Sequence, residues 1–147
     1  MSLAPVGGPN AELTFQRQTV RLKATAAVAV GDCVKIAVAS LNSSEPTAAP
    51  TVIADASAGS NTSVFAIATE AAAIGGYFVA VLQGKVDARA SAAVGAGDKI
   101  SCGVANARID DVDAADWVLG FALADIGAGD LGPVYFNGLG LGVYATT

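Results

Sequence analysis

The sequence predicts an all-β protein, a small β-barrel or β-sandwich built from short strands. Three observations support this fold class. A Gly-Asp or Gly-Gly step recurs along the chain, short runs of β-type residues follow one another at intervals of about 8–12 residues, and no segment has the 3.6-residue apolar period of an amphipathic helix. Short strands separated by turn signals are typical of sandwiches and barrels.

The recurring step occurs at Gly31-Asp32, Gly75-Gly76, Gly97-Asp98 and Gly129-Asp130. An alanine-rich segment precedes each copy, and a β-type run follows it. Glycine supplies the backbone conformations that a tight turn needs, and the aspartate side chain can hydrogen-bond the turning backbone. Each copy is therefore predicted to be a turn that delivers the chain into a new strand.

The chain divides into a short arm and one domain. Residues 1–11 contain two prolines and two glycines, which predicts a flexible N-terminal arm, and residues 12–147 are predicted to form a single β-rich domain. The predicted strands, in order, lie at 12–23, 33–41, 51–53, 64–69, 77–86, 98–102, 106–109, 117–124, 131–137 and 141–146.

Four of these strands carry further detail. In 12–23 the apolar residues change face near Arg17-Gln18, which predicts a bulge or two short strands. In 77–86 both alternating sets are apolar, so both faces are expected to be covered. Segments 98–102 and 106–109 predict a hairpin. Gly120 is expected to mark a bulge or a place where another backbone comes close.

The composition suits a protein that works inside an assembly. The 147 residues carry a net charge of −5, are 53% hydrophobic and only 14% charged, where about 25% is usual. So few charges give little protection against association. The basic residues are scattered, so we expect no nucleic-acid partner. We expect no membrane span, because no apolar run is long enough, and the first residues lack the features of a secretory signal.

Few residues offer chemistry. The sequence has no histidine, which removes the commonest general base and metal ligand. Cys33 and Cys102 lie in β-type runs without a plausible base, so we expect buried, reduced thiols rather than a nucleophile or a disulfide. We therefore expect no enzyme, no cofactor and no metal.

Three motifs could suggest otherwise. Segment 127–132 matches G-x-G-x-x-G, but a β-type run follows where a dinucleotide-binding helix would begin, so the match is interpreted as false. The acidic segment from Asp110 to Asp116 could bind calcium or be an exposed turn. Segment 138–142 lacks the Lys and Ser/Thr of a phosphate loop and predicts a glycine-rich terminal strand instead.

Partner contacts are expected near the N-terminus. Leu13, Phe15, Val20 and Leu22 are apolar enough to anchor a strand that pairs with a partner's sheet, with Arg17 beside them. The alternative is that these residues close the protein's own sheet, because edge strands and paired strands look alike in sequence.

The stretch from about Val28 to Phe136 resembles the capsid decoration, or cement, proteins of tailed phages. The Gly-Asp turns at 31–32 and 97–98 carry this resemblance together with a segment that ends in a closing strand. That segment is Val118-Leu119-Gly120-Phe121-Ala122-Leu123-Ala124, followed by Gly127-Ala128-Gly129-Asp130 and Pro133-Val134-Tyr135-Phe136. The arm, the proline loop 42–50 and the tail 138–147 depart from the pattern, so the mode of attachment stays open.

The resemblance implies a compact β-rich module on the outside of an icosahedral head. Such proteins clamp neighbouring major capsid proteins and often associate as trimers. We therefore expect a structural virion protein, made in the host cytoplasm, that stabilises the capsid exterior as a homotrimer by bridging major capsid proteins. The family supplies no catalytic residue.

An alternative function is a carbohydrate- or receptor-binding module of a tail fibre or surface structure. Such a module needs an exposed aromatic platform. The candidates are Tyr77, Trp117, Tyr135 and Tyr144.

Overall fold

The computed structural model describes residues 17–36, 51–53, 64–102, 107–111, 117–138 and 142–143, and these ranges contain strands and turns but no helix. The all-β prediction is therefore confirmed. Nothing in these ranges forms a helix long and apolar enough to cross a membrane. The strands are β1 (Gln18–Ala24), β2 (Cys33–Ile36), β3 (Thr51–Ile53), β4 (Val64–Ala68), β5 (Tyr77–Arg89), β6 (Lys99–Cys102), β7 (Ile109–Asp111), β8 (Trp117–Val118), β9 (Gly120–Ala122), β10 (Leu131–Asn137) and β11 (Gly142–Val143).

The strands form two five-stranded barrels that share β5. In the first barrel the pairing runs β1-β3-β2-β4-β5 and returns from β5 to β1. In the second it runs β5-β10-β9-β6-β7, and a parallel bridge between Ala90 and Ile109 closes the ring. All strand pairs are antiparallel except β1–β3. Gly84, with φ 122°, lies in β5 where the strand passes from one barrel to the other.

Four turn segments of equal length organise both barrels, at 24–31, 68–75, 90–97 and 122–129. Each begins with a buried alanine and ends with a glycine at positive φ, between 82° and 87°. In each turn the residue after the glycine donates its N–H to the carbonyl three residues back, as Asp32 does to Ala29 (3.2 Å) and Asp98 to Gly95 (3.0 Å). This is the type II pattern, whose third position needs glycine.

The turn segments interlock in pairs. In the first pair the Gly31 N–H donates to the Ala68 carbonyl and the Gly75 N–H donates to the Ala24 carbonyl, both at 2.8 Å. In the second pair Gly97 and Gly129 make the same two bonds to Ala122 and Ala90. Bridges Val28–Ala72 and Val94–Ile126 join the middles of the segments. The predicted turns are thus confirmed, and they work in pairs across long stretches of sequence.

Two apolar clusters fill the barrels. The first comes wholly from residues 20–82 and includes Leu22, Val34 and Phe78. The second comes from residues 86–136 and includes Ile100, Leu119 and Phe136. Four side chains of first-barrel strands also belong to the second cluster, namely Cys33, Val64, Ile67 and Val81. The outer side of the first barrel is therefore covered by the second.

Several strand predictions agree closely with the structure. β3 and β10 have the predicted bounds, and the register shift between Gln18 and Thr19 lies next to the predicted bulge. A Cβ on Gly120 would lie 1.8 Å from the Tyr135 carbonyl oxygen, which confirms the predicted close approach. Three predicted strands were wrong by more than one residue. β5 continues to Arg89 because its second half builds the second barrel, and β7 begins at Ile109 instead of ending there. The predicted strand 117–124 is divided into β8 and β9, which pair with different strands, and it ends at Ala122.

The two cysteines meet where the barrels join. Cys33 and Cys102 are buried free thiols, and their side chains share a hydrogen bond. That bond to Cys102 and the burial of Cys33 together raise the pKa of the Cys33 thiol well above its ordinary value. The expected burial of both thiols is confirmed, and a high thiol pKa disfavours the reactive thiolate of Cys33.

We expect Gly31→Ala to destabilise the protein more than Gly97→Ala. Both positions have positive φ, which costs an alanine about 1–2 kcal/mol. A Cβ at Gly97 would meet nothing within 4 Å, whereas one at Gly31 would lie 2.4 Å from Leu131 Cδ2 and 2.8 Å from the Arg89 nitrogen. Overpacking should add about 1–3 kcal/mol at Gly31. Urea unfolding of both variants measures the difference, and equal losses would contradict the packing at Gly31.

We also expect iodoacetamide to leave both thiols unmodified in the native protein, even at pH 9, because the thiols are buried and the Cys33 pKa is raised. Intact mass spectrometry should show two added groups only after unfolding in guanidinium. Rapid double labelling without denaturant would show that the thiols are accessible.

Candidate functional site

The five residues predicted to contact a partner have different positions. Leu13 and Phe15 lie outside the described residues. Arg17 is exposed at the start of β1. Val20 packs against the first cluster and Leu22 is fully buried in it, so these two side chains close the protein's own barrel, as the alternative from sequence had it. On one side β1 pairs with β5 from Gln18 to Lys23, and on the other side β3 pairs with Lys23 and Ala24 only.

β1 carries a basic outer surface. Thr19, Arg21 and Lys23 are exposed along the strand, continuing from Arg17. The Arg21 guanidinium lies 5.1 Å from the centre of the Tyr77 ring, a cation–π contact. Lys23 pairs with Tyr77 across the strands. Tyr77 and Ile74 are exposed by 49% and 74%, so a basic and apolar patch lies at this corner of the first barrel.

The basic and apolar patch was only half predicted from the sequence. Arg17, Arg21 and Lys23 lie close together in the sequence, but the apolar alternation of 77–86 predicts that Tyr77 is covered. Val81 is buried, whereas Tyr77 is not. Tyr77 follows a turn glycine by two residues, which puts it at the end of the barrel, and this position was the available signal.

The junction between the barrels has its own polar contacts. The Gly31 carbonyl accepts the Arg89 N–H at 3.1 Å, and the Cys33 N–H donates to the Ala107 carbonyl at 2.7 Å. Burial raises the pKa of the neighbouring Asp32 carboxyl, while its hydrogen bond from Ala29 and the charges of Arg108 and Arg89 partly oppose that rise. An acidic turn of the first barrel therefore faces basic side chains of the second.

A small cavity opens at the other end of the first barrel. Its volume is about 190 Å³, and its walls are mostly apolar. Phe65 and Leu82, both half-buried, line it together with Gln18, Gln83, Asn137 and Gly138. It holds no titratable side chain among these residues, so it can accept an apolar side chain but offers no acid or base for catalysis.

The weak motifs add no site among the described residues. Segment 127–132 forms a turn and the start of β10, so no helix begins there to bind a pyrophosphate. The described residues contain no group of three or more candidate metal ligands. Of the acidic segment, Asp110 accepts the Asp111 N–H at 2.9 Å, and 112–116 lie outside the described residues, as do 139–141 and the side chain of Trp117.

Comparison with known proteins identifies a shared fold. No protein-family model matches the chain, and no curated protein matches it. Among solved structures, the chain is similar to the N base of the head fiber gp8.5 of bacteriophage phi29. The TM-score is 0.60 at 13% identity, over 86% of this chain and 98% of that one. The chain thus has the architecture of nearly the whole of that base, although few of the aligned residues are identical.

Proposed function

We propose that this protein is a structural component of a phage head, bound to the outer surface of the capsid. The observation that carries the proposal is the shared fold with the N base of a head fiber, which the alignment covers almost completely. Because one fold can serve unrelated functions, the surface of the chain has to support the same conclusion.

The surface supports a binding role without catalysis. The two thiols, the side chains with the greatest intrinsic reactivity, are buried and hydrogen-bonded to each other. Every buried side-chain nitrogen or oxygen in the described segments has a hydrogen-bond partner, so none is held ready for a substrate. The described surface instead presents the basic face of β1, exposed apolar side chains and turn tips. Such features suit contact with other proteins.

The capsid contact that we propose involves the segment before β1. Leu13, Phe15 and Arg17 remain candidates for it, because Val20 and Leu22 are committed to the first cluster. The partner is the major capsid protein, bound so that neighbouring copies are bridged. Association as a homotrimer would multiply modest single contacts through avidity, and few surface charges would oppose such close packing.

The described tyrosines give little support to the carbohydrate-binding alternative. The Arg21 guanidinium covers one face of the Tyr77 ring. Tyr135 stacks on Phe121 with ring centres 5.4 Å apart, and its hydroxyl accepts a hydrogen bond from Gln83. Sugar-binding platforms need open ring faces, so we do not adopt this function.

The proposal predicts that the purified full-length protein adds to expanded phage heads that lack it, in a fixed number of copies per capsid. Co-sedimentation and electron microscopy measure the uptake. Heads that take up no protein would contradict the proposed function.

The contact segment has its own test. Leu13→Ser and Phe15→Ser together should reduce head binding at least about tenfold, which corresponds to about 1.4 kcal/mol. Thr19→Ser, a change on the exposed face of β1 that keeps the hydroxyl, serves as the matched control. Unchanged binding of the double variant would place the capsid contact elsewhere.

A further inference from the structure

The two barrels have the same strand pairing and matching turn glycines, so the burial of residues in matching positions can be compared. Superposing the turn glycine Gly31 on Gly97 matches Lys23 to Arg89 and Asp32 to Asp98. Superposing Gly75 on Gly129 matches Tyr77 to Leu131. The strand register agrees, because Lys23 pairs with Tyr77 in the first barrel as Arg89 pairs with Leu131 in the second. Likewise the pair Ile67–Val81 matches the pair Phe121–Tyr135.

Inside the chain, the first barrel docks on the second through one defined face. Its turn at Gly31 touches Leu131 and accepts the Arg89 N–H. Its outward side chains Ile67 and Val81 are fully buried, in the same cluster as Leu119 and Phe136 of the second barrel. This intramolecular contact combines a turn tip, two outward apolar side chains and an acidic residue opposite a basic one.

The second barrel presents the same face with far less cover. We define the projecting face as Gly97, Asp98, Phe121 and Tyr135. Gly97 has open space around it, Asp98 is exposed, and the stacked Phe121 and Tyr135 are half-buried, whereas Ile67 and Val81 in the matching positions are fully buried. The C-terminal strand β11 pairs with β8 beside this face but does not bury the two rings.

The first barrel has the matching surface, also largely open. We define the receiving face as Lys23 and Tyr77 at one end of the first barrel together with Phe65 and Leu82 around the cavity at the other end, in the positions that Arg89, Leu131, Leu119 and Phe136 hold in the second barrel. Phe65 and Leu82 are half-buried around the 190 Å³ cavity, whereas their equivalents Leu119 and Phe136 are fully buried. Tyr77 is 49% exposed, and its equivalent Leu131 is 41% exposed although it contacts Gly31. The difference in burial between the two barrels is therefore clearer at Phe65 and Leu82.

The charges of the two faces are complementary. Within the chain, Asp32 is attracted by Arg108 and, less strongly, by Arg89. In the equivalent positions the projecting face carries Asp98 and the receiving face carries Lys23, with Arg21 beside it, all exposed. A contact between copies would therefore bring opposite charges together, as the internal contact does, and would steer the faces into register.

We propose that the projecting face of one copy binds the receiving face of a second copy, repeating between molecules the contact that joins the barrels within one. The contact is head-to-tail, so each copy uses one face of each kind, and the assembly forms a ring if the rotation closes. This proposal deepens the self-association that is part of the proposed function, and it supplies the residues through which that association occurs.

Two variants test the proposal in combination. Tyr77→Asp disables the receiving face and Phe121→Asp disables the projecting face. We expect wild type to be an oligomer in multi-angle light scattering and each variant alone to be a monomer. An equimolar mixture of the two should give a 1:1 dimer, because one intact interface remains. Ala92→Asp, the same change at an exposed residue in neither face, should leave the oligomer unchanged.

Other outcomes would overturn the proposal. A monomeric wild type would do so, and so would an oligomer that survives both variants, or monomeric variants that fail to combine, as expected for a two-fold symmetric interface. If Phe121→Asp does not fold by circular dichroism, Ala96→Arg takes its place, since it sets a cation at the exposed turn tip beside Gly97, opposite Lys23. Head binding is measured separately, so a monomer that still binds heads would reject this interface and leave the proposed function standing.

Discussion

The reciprocal hydrogen bonds between paired turn segments are the constraint on which this structure depends. Each turn glycine donates its N–H to the carbonyl of the alanine that opens the partner segment. These N–H and carbonyl groups therefore have their hydrogen-bond partners only when the two segments pair. The opening alanines are at most 1% exposed, and a larger side chain there would separate the segments. The turn glycines have positive φ, a conformation that glycine adopts without the steric cost that other residues would have. One backbone device thus explains both the small-residue composition and the repeat.

Using this device twice yields two barrels with the same strand pairing, but the two do not have the same surroundings. The first barrel covers its outer side with the second, which allows Ile67 and Val81 to be core residues. Among the described residues nothing covers the second barrel in the same way, and Phe121 and Tyr135 stack on each other and remain partly exposed. Within the described part of the chain, one face of each kind is therefore less covered than its equivalent at the junction, as the faces of single units in repeat proteins are.

The sequence predicts the local features of this fold but not the pairing of segments that are distant in the chain. Glycine turns, strand bounds such as 131–137 and the close approach at Gly120 depend on neighbouring residues, and all of these follow from the pattern. The pairing of segment 24–31 with 68–75 depends on backbone hydrogen bonds between distant residues, which leave no side-chain signature beyond an alanine seven residues before the glycine. For the same reason Leu22 could be read as a partner anchor: alternation shows that it faces an apolar surface but not whose surface it is.

The same limit applies to the function of this chain, which its exposed surfaces indicate better than its reactive side chains do. Its two thiols meet, buried, at the junction of the barrels, where a raised pKa disfavours the Cys33 thiolate, and its described turn glycines are structural. Function in such a protein comes from the shape and charge of its exposed faces. A binding face is identified best by comparing it with an equivalent face that is already buried in a contact. The internal junction provides that comparison. Gly97, Phe121 and Leu82 are less covered than their equivalents Gly31, Ile67 and Phe136, which are buried at the junction.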